Sequence, residues 1–323
     1  MKQTNSILKV SAISVFGKLL LVLLPLALAA GAGSVEAKTP KKALVVTVTT
    51  GFRHSSIETA EQVLADLGAK SGAFTVDYAR VTPPNEKAPA KPTPPKEEGD
   101  ADKFKADQEK YNAALEEFKI EETKFKEAER AYHETQKKVL AEKMSADSLK
   151  QYDAVIFANT TGDLPLPDPA AFLSWLKSGK AFIGTHSCSD TFHGWPAFID
   201  MLGGEFETHK AQVKVECLSQ DPKHPATKHF GHSYTVLDEI YIQKNFHREK
   251  VHGLLTLDKH PNEKTPGDYP IAWCKLYGKG RVFYTSLGHR EDVWQAEPYQ
   301  KHVLGGIKWA LGLERGGAKP QTK

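Results

Sequence analysis

Residues 184–195, GTHSCSDTFHGW, hold a dense group of reactive side chains directly after the apolar run AFI. A nucleophile elbow places one small residue two positions before the nucleophile and another two positions after it. The run GTHSC fits that frame with His186 at the tip. A tip at Cys188 would instead put His186 and Asp190 at the small positions. We therefore predict that Cys188 is not a nucleophile and that His186 and Asp190 carry the chemistry.

A histidine at the tip is suited to binding a metal or moving a proton rather than to starting acyl transfer. Asp190 follows four residues later, so both side chains can face one cavity if the turn enters a helix. This pair alone does not make a site. It needs partners from other parts of the chain.

Other polar side chains also directly follow apolar, strand-like runs. In a mainly parallel sheet, ligands bind at the carboxyl ends of the strands, where such loops meet. We therefore predict one shared site at that edge. The candidates in chain order are Arg53, His54, Thr161, Asp163, His186, Asp190, His209, Glu239, His289 and Arg290.

The elements that position these loops predict an α/β fold. Continuous apolar, β-branched runs such as ALVVTVT (43–49) alternate with helical patterns, which favours a mainly parallel sheet flanked by helices. We expect one domain made of residues 38–82 and 148–315. Residues 316–323 read as a frayed tail.

Residues 83–147 interrupt this pattern. A Pro- and Lys-rich linker (83–99) leads into a charged segment in which Phe104, Tyr111, Phe118, Phe125, Tyr132 and Val139 recur every seven residues. This spacing predicts a long inserted helix over 103–143 with one narrow apolar stripe. The helix could be an inert insertion, an arm for self-association or partner binding, or a substrate lid.

Residues 1–37 have the pattern of a signal peptide. Lysines precede a short, Pro-broken apolar core, and small residues lead to VEA at 35–37. We expect cleavage after Ala37 and a periplasmic or secreted protein, with an uncleaved anchor as the alternative. The formal net charge of +3 gives no concentrated basic face, so we expect no nucleic-acid partner. The three cysteines read as buried small side chains rather than a bridge.

Several motifs taken together resemble the ThuA-like family of trehalose-utilisation proteins. They include GFRHSSI (51–57), ANTTGD (158–163), the GTHSCSDTFHGW run, LGGEFETH (202–209), DEIY (238–241) and AWCKLYGKGRVFYTSLGH (272–289). The family is similar to class I glutamine amidotransferase domains (a flavodoxin-like sheet) that lack the catalytic cysteine. The resemblance covers 43–82 and 149–313 and does not explain the inserted segment. It implies a role in carbohydrate catabolism, near 3-keto sugars made by a partner sugar oxidoreductase.

The implied chemistry is removal of a proton next to a ring ketone, followed by elimination or hydrolysis of the glycosidic bond. His186 or Glu239 could be the base, and Asp190 could orient it or bind a metal. His54, His209 and His289 are the metal candidates, and imidazole with carboxylate suits Zn or Mn. The alternative is a hydrogen-bonded histidine network without metal. We expect no nucleotide cofactor.

We assign sugar binding to Arg53, Thr161, Asp163, Arg290 and Trp294. The Trp294 ring, after a strand end, could stack on a sugar face. A competing hypothesis is a carbohydrate-binding or accessory module without catalysis. Glutamine amidotransferase activity is rejected, because the elbow tip holds His186 and no His-x-Glu pair follows the late strand.

Overall fold

The computed structural model describes residues 12–14, 39–97 and 100–321. The chain divides into two units, Met1–Thr39 and Pro40–Lys323, and every helix and strand of the described residues lies in the second. The predicted signal peptide, apart from residues 12–14, lies outside the described residues. No helix among the residues described is both long and apolar enough to cross a membrane.

Most strands of the described chain belong to one nine-stranded sheet. Its order is β2-β1-β3-β4-β11-β10-β9-β6-β7, and β5 pairs with β8 in a separate two-stranded sheet. The strands are β1 (Lys41–Val46), β2 (Phe74–Ala79), β3 (Ala154–Ala158), β4 (Ala181–Thr185), β5 (Glu205–His209), β6 (Val213–Ser219), β7 (Ser233–Asp238), β8 (Tyr241–Lys244), β9 (His252–Lys259), β10 (Pro266–Tyr277) and β11 (Gly280–Thr285).

The predicted α/β fold with a largely parallel sheet is confirmed. Strands β2, β1, β3, β4 and β11 run parallel, whereas β10, β9, β6 and β7 extend the sheet with antiparallel pairs. The central parallel strands β3 and β4 are buried on both faces, which explains their continuous apolar sequences, whereas the edge strand β2 is only partly buried. A tight turn between Tyr277 and Gly280 joins β10 to β11 as an antiparallel hairpin.

Helices cover both faces of the parallel part. They are α1 (Ile57–Ser71), α2 (Ala101–Lys143), α3 (Ala146–Leu149), α4 (Pro169–Lys177), α5 (Pro196–Leu202), α6 (Glu291–Gln295) and α7 (Glu297–Ala310). Alternate residues along the strands pack into two separate hydrophobic cores, one on each face of the sheet. Val45 and Ile156 pack with Leu64 and Ile307 of α1 and α7, whereas Val46 and Phe157 pack with Leu176 and Phe198 of α4 and α5.

The long helix is confirmed as α2, a single helix of 43 residues. Its apolar stripe is half-buried along the whole length, and Val81, Pro84 and Tyr132 line one groove between helix and linker. Only Gln136 and Leu140 are buried within α2. Gln136 Nε2 donates a hydrogen bond to the carbonyl oxygen of Thr49 at 2.8 Å, which ties α2 to the loop after β1.

Two local expectations are wrong. The run SYTVLDEIYI reads as one strand, but β7 ends at Asp238 and β8 begins at Tyr241. The Asp238 carboxylate accepts hydrogen bonds from the backbone N–H groups of Glu239 and Gly288, which holds the chain in a turn. The C-terminal tail does not fray as far as residue 319. Its Lys319 carbonyl oxygen accepts a 2.7 Å hydrogen bond from His252.

Candidate metal centre and its cavity

The elbow after β4 presents His186 as the sequence frame predicts. His186 has a left-handed backbone with φ of 43°, and it begins a short 3-10 helix, His186–Asp190. A Cβ atom at Gly184 would lie 2.7 Å from the Cys188 sulfur, so the turn requires glycine there. Cys188 is fully buried, and burial raises the pKa of its thiol well above the ordinary value. Its thiol therefore has neither access nor charge for nucleophilic attack.

Four side chains from four separate loops meet beside this elbow: His54 after β1, His186 after β4, Glu239 after β7 and His289 after β11. Their ligand atoms all lie within 4.8 Å of one another. His186 Nε2 lies 3.2 Å from His54 Nε2 and 3.3 Å from His289 Nδ1. Glu239 Oε2 lies 3.2 Å from His289 Nδ1 and 3.7 Å from His186 Nε2.

These distances fit the ligand shell of a tetrahedral metal ion. With bonds of about 2.0–2.1 Å, the ligand atoms of a tetrahedral zinc site lie about 3.3–3.4 Å apart. Four of the six distances between these ligand atoms, 3.2 to 3.7 Å, bracket that value, and all six are within 4.8 Å. Three imidazoles and one carboxylate are also a donor set that suits Zn²⁺ or Mn²⁺. The residues present therefore fit a divalent metal.

The outer nitrogens of two of these histidines are engaged, which aims their other nitrogens inward. His186 Nδ1 donates to the Ser286 carbonyl oxygen at 2.8 Å, leaving a lone pair on Nε2. His54 Nδ1 lies 3.3 Å from Ser187 Oγ. Burial, reinforced by neighbouring histidines, lowers the pKa of His54 to about 4 and that of His186 well below its ordinary value. Both rings are thus neutral at pH 7, as metal ligands must be.

His289 differs, because it is only half-buried and contacts Glu239. The hydrogen bond to that carboxylate raises the pKa of His289 above the ordinary value. Glu239 also lies 3.0 Å, through Oε1, from Nδ1 of His209. His209 is outside the four-residue group and is substantially exposed.

Three of the four groups, His54, Glu239 and His289, line a cavity of about 290 Å³, and His186 is fully buried beside them. One further carboxylate, Asp190, and one further imidazole, His209, also line this cavity. Three aromatic rings complete the walls: Phe52, Phe206 and Tyr241. The cavity therefore combines part of the four-residue cluster with aromatic walls and has room for a small molecule.

The cavity walls in the described chain include none of the five predicted sugar-binding residues. Arg53 donates to the Thr47 carbonyl oxygen and to Glu58. Arg290 hydrogen-bonds Gln212 and Asp292, and Asp163 is exposed. These three side chains are directed to the surface of the loops rather than into the cavity.

Thr161 and Trp294 do not line the cavity, and each donates a hydrogen bond to the backbone of a loop that carries a histidine of the site. Thr161 Oγ1 donates to the Phe52 carbonyl oxygen at 2.8 Å and so fixes the loop that carries His54. Trp294 was expected as an exposed stacking platform, but it is fully buried. The short helix α6 turns its ring into the core, where Nε1 donates to the Gly288 carbonyl oxygen at 2.9 Å.

Sequence reasoning missed Phe52 and Phe206 as cavity walls and Ser286 as the partner of His186. Phe52 is two residues before His54 in the same loop, and Phe206 is three residues before His209. Aromatic residues that close to candidate histidines were the available signal. Nothing in the sequence signals Ser286, because its contribution is a backbone carbonyl group.

The fold and site define a class: an α/β protein with a cluster of three histidines and one carboxylate at the carboxyl edge of its parallel strands. The chain belongs to the ThuA family, described as trehalose utilisation, whose model matches residues 101–310. That range includes α2 and omits the unit formed by β1, α1 and β2. No curated protein matches the chain significantly.

Two solved structures share the fold. A ThuA-like protein from Bacteroides uniformis ATCC 8492 is 19% identical with a TM-score of 0.54, covering 87% of this chain and 95% of its own. A ThuA-like protein from Parabacteroides merdae ATCC 43184 is 18% identical with a TM-score of 0.56, covering 88% and 92%. At this identity the likeness shows the fold alone.

Proposed function

We propose that this protein is a metal-dependent enzyme of carbohydrate catabolism that cleaves 3-keto glycosides by proton abstraction and elimination. One observation carries the proposal: the ligand atoms of His54, His186, Glu239 and His289 lie within 4.8 Å of one another, and three of these residues line a cavity of about 290 Å³. The family's description as trehalose utilisation supports the substrate class. A partner oxidoreductase would supply the ketone.

The four converging groups would hold the ion. A bound divalent cation supplies Lewis-acid stabilisation of negative charge developing on the ketone oxygen. The ligand role for His186 and Glu239 replaces their assignment as base, since both are buried against the other ligands. Asp190 and His209 are then the cavity groups left to move protons.

His209 Nδ1 is paired with Glu239, whereas only one oxygen of Asp190 is paired, with His193, among the described residues. We therefore assign the base to Asp190. Its carboxylate takes the proton from the carbon beside the ketone, and the electron pair of that C–H bond moves toward the ketone oxygen. The bond to the glycosidic oxygen then breaks, and Asp190 returns the proton to the departing oxygen. The step balances without an external oxidant or reductant, and one carboxyl group serves as base and then acid.

A second candidate function is carbohydrate binding without catalysis. It is favoured by Phe52, whose side chain is 69% exposed at the cavity mouth. An exposed aromatic ring beside a cavity is suited to stacking on the apolar face of a sugar. Under this hypothesis sugar binding needs no metal.

The test is elemental analysis of the purified mature protein, followed by assay of a 3-keto glycoside before and after chelation. We expect about one divalent ion per chain and turnover that chelation abolishes and metal restores. His54→Ala should lose both, whereas His229→Ala, a half-buried histidine outside the site, should keep both. Sugar binding that persists without metal and without turnover would replace the enzyme with the binding module.

The proposal includes export of the protein, so that it would meet its oxidised sugars outside the cytoplasm. This part of the proposal rests on the sequence pattern of residues 1–37. N-terminal sequencing of the mature protein should begin at Lys38. An intact N-terminus in a protein retained with the cytoplasmic fraction would contradict it.

A further inference from the structure

Asp190 is the near end of a short chain of charges that leads away from the cavity. Its Oδ1 lies 2.6 Å from His193 Nε2, and His193 Nδ1 lies 2.6 Å from Glu205 Oε1. Lys244 Nζ follows, 3.5 Å from the same Glu205 oxygen. The charges alternate in sign along the four residues. The second oxygen of Asp190 has no hydrogen bond within the part of the chain that the structure describes.

The geometry fixes the protonation of His193. Ionised carboxylates only accept hydrogen bonds, so each short contact requires a hydrogen on the facing ring nitrogen. Both nitrogens face carboxylates, and the ring is therefore an imidazolium held between two anions. Hydrogen bonds to Asp190 and Glu205 raise the pKa of His193 despite the opposing effect of partial burial.

The loop that carries His193 is built to hold this position. Phe192 has a left-handed backbone with φ of 62°, which is unfavourable for a non-glycine residue. The Thr191 Oγ1 atom lies 2.9 Å from that of Thr160, a hydrogen bond that holds the loop beside Phe192. Glu205 is 3% exposed and accepts a 2.6 Å hydrogen bond from Asn245.

His193 and Glu205 also line a second cavity of about 340 Å³. Asp190 lines the first cavity, so the charged chain forms part of the wall between the two. The other charged or titratable groups around the second cavity are Asp200, His247, Lys250 and Lys275. None of these has a hydrogen bond or ion pair with His193 among the described residues.

We propose that His193, clamped by Glu205, is a positioning residue that aims the Asp190 carboxylate at the substrate. This inference rests on the proposed function, because His193 is inferred to orient Asp190, the base of the proposed reaction. The imidazolium occupies one oxygen of Asp190 and leaves the other for the proton from carbon. Deprotonation of His193 leaves one ring hydrogen for two facing carboxylates, which weakens the hold on Asp190, so turnover should fall on the alkaline side as His193 deprotonates.

The experiment uses full-length mature protein loaded with metal and compares Glu205→Gln, His193→Asn and His247→Asn. The last is the matched control, a histidine of the second cavity without contact to Asp190. NMR titration of the ring protons gives the pKa of His193 directly. Kinetics with a 3-keto glycoside give kcat, KM and the pH profile, and thermal melts with metal analysis check folding.

We expect the wild-type pKa of His193 above 6.5 and a lower value in Glu205→Gln. Both clamp variants should lose kcat by about 10- to 100-fold, the effect of misplacing a reacting group by a fraction of an ångström to about 1 Å. Metal content and KM should change little, and the alkaline fall in kcat should vanish in His193→Asn.

A wild-type His193 that titrates at or below 6.5, or a Glu205→Gln variant with unchanged kcat and pH profile, overturns the inference and leaves the metal-dependent reaction standing. Absence of turnover in the wild type instead overturns the proposed function. The titration of His193 in wild type and in Glu205→Gln then tests only whether Glu205 holds His193 in its protonated form. If His193→Asn fails to fold, Glu205→Gln carries the test.

Discussion

Metal binding to His54, His186, Glu239 and His289 should release about one proton per ion between pH 4.5 and 6, although three imidazoles take part. The quantity varied is the pH, and the quantity measured is the metal affinity. Ligand imidazoles must be neutral to bind, so each protonated one loses its proton on binding. Burial lowers the pKa of His54 to about 4 and that of His186 well below its ordinary value, so both are already neutral. His289, with a raised pKa, carries the proton.

The magnitude follows from that count. The slope of log affinity against pH equals the number of protons released, so affinity should fall about tenfold per pH unit below the His289 pKa. Three histidines with an ordinary pKa near 6.5 would instead give a fall approaching a thousandfold per unit. The two cases differ by about a factor of 100 for each unit of pH.

Competition titration of Zn²⁺ with a chromophoric chelator from pH 4.5 to 7.5, corrected for the chelator's own protonation, measures this slope. Calorimetry in two buffers of different ionisation enthalpy counts the protons independently. A slope of two would show that one of His54 and His186 is protonated in the metal-free protein, and a slope of three that both are. If the protein shows no saturable Zn²⁺ binding at any pH, the four residues do not form a metal site.

Three further predictions concern stability and substrate binding. His224 and His302 are buried away from the site, and burial lowers their pKa values to about 4 and about 3. Because these histidines take up protons near pH 6.5 in the unfolded chain, their contribution to the free energy of unfolding is full above that pH and falls by roughly 2 kcal/mol each at pH 5. The metal-free protein should therefore have a lower Tm at pH 5 than at pH 7.5, and equal Tm values would contradict this. Phe52→Ala should raise KM for a glycoside about 5- to 10-fold with kcat preserved, and Phe52→Trp should restore KM, whereas unchanged KM would show that the exposed ring contacts no sugar. Gly184→Ala should cost about 1–3 kcal/mol by pushing its Cβ against the Cys188 sulfur, and adding Cys188→Gly should recover most of that loss in denaturant unfolding; an equal loss in the double variant would refute the contact.

The parallel strands and the long helix are predictable because their information is local. Apolar β-branched runs specify buried strands, and a seven-residue aromatic repeat specifies α2. The antiparallel extension is not predictable in the same way. Its strands look alike in sequence, and their direction depends on pairing between β11, β10, β9 and β6 across the sheet.

The site was partly predictable for the same reason. His54, His186, Glu239 and His289 stand directly after strands or in the loop that follows, so the topology brings them together. Which acid or histidine faces the cavity depends on side-chain direction, which spacing does not encode. Trp294 shows the limit: its position after a strand suggested exposure, but one turn of α6 directs the ring into the core.

The hydrogen bond from Gln136 to the Thr49 carbonyl oxygen has a practical bearing on engineering this chain. A shortened variant that removes all of α2 to give a more compact protein would also remove a strut of the loop that carries His54. Trimming should stop before Tyr132, so that the final three turns and their anchor remain. Designs that respect this limit would remove the N-terminal part of the helix and keep the loop that carries His54 in place.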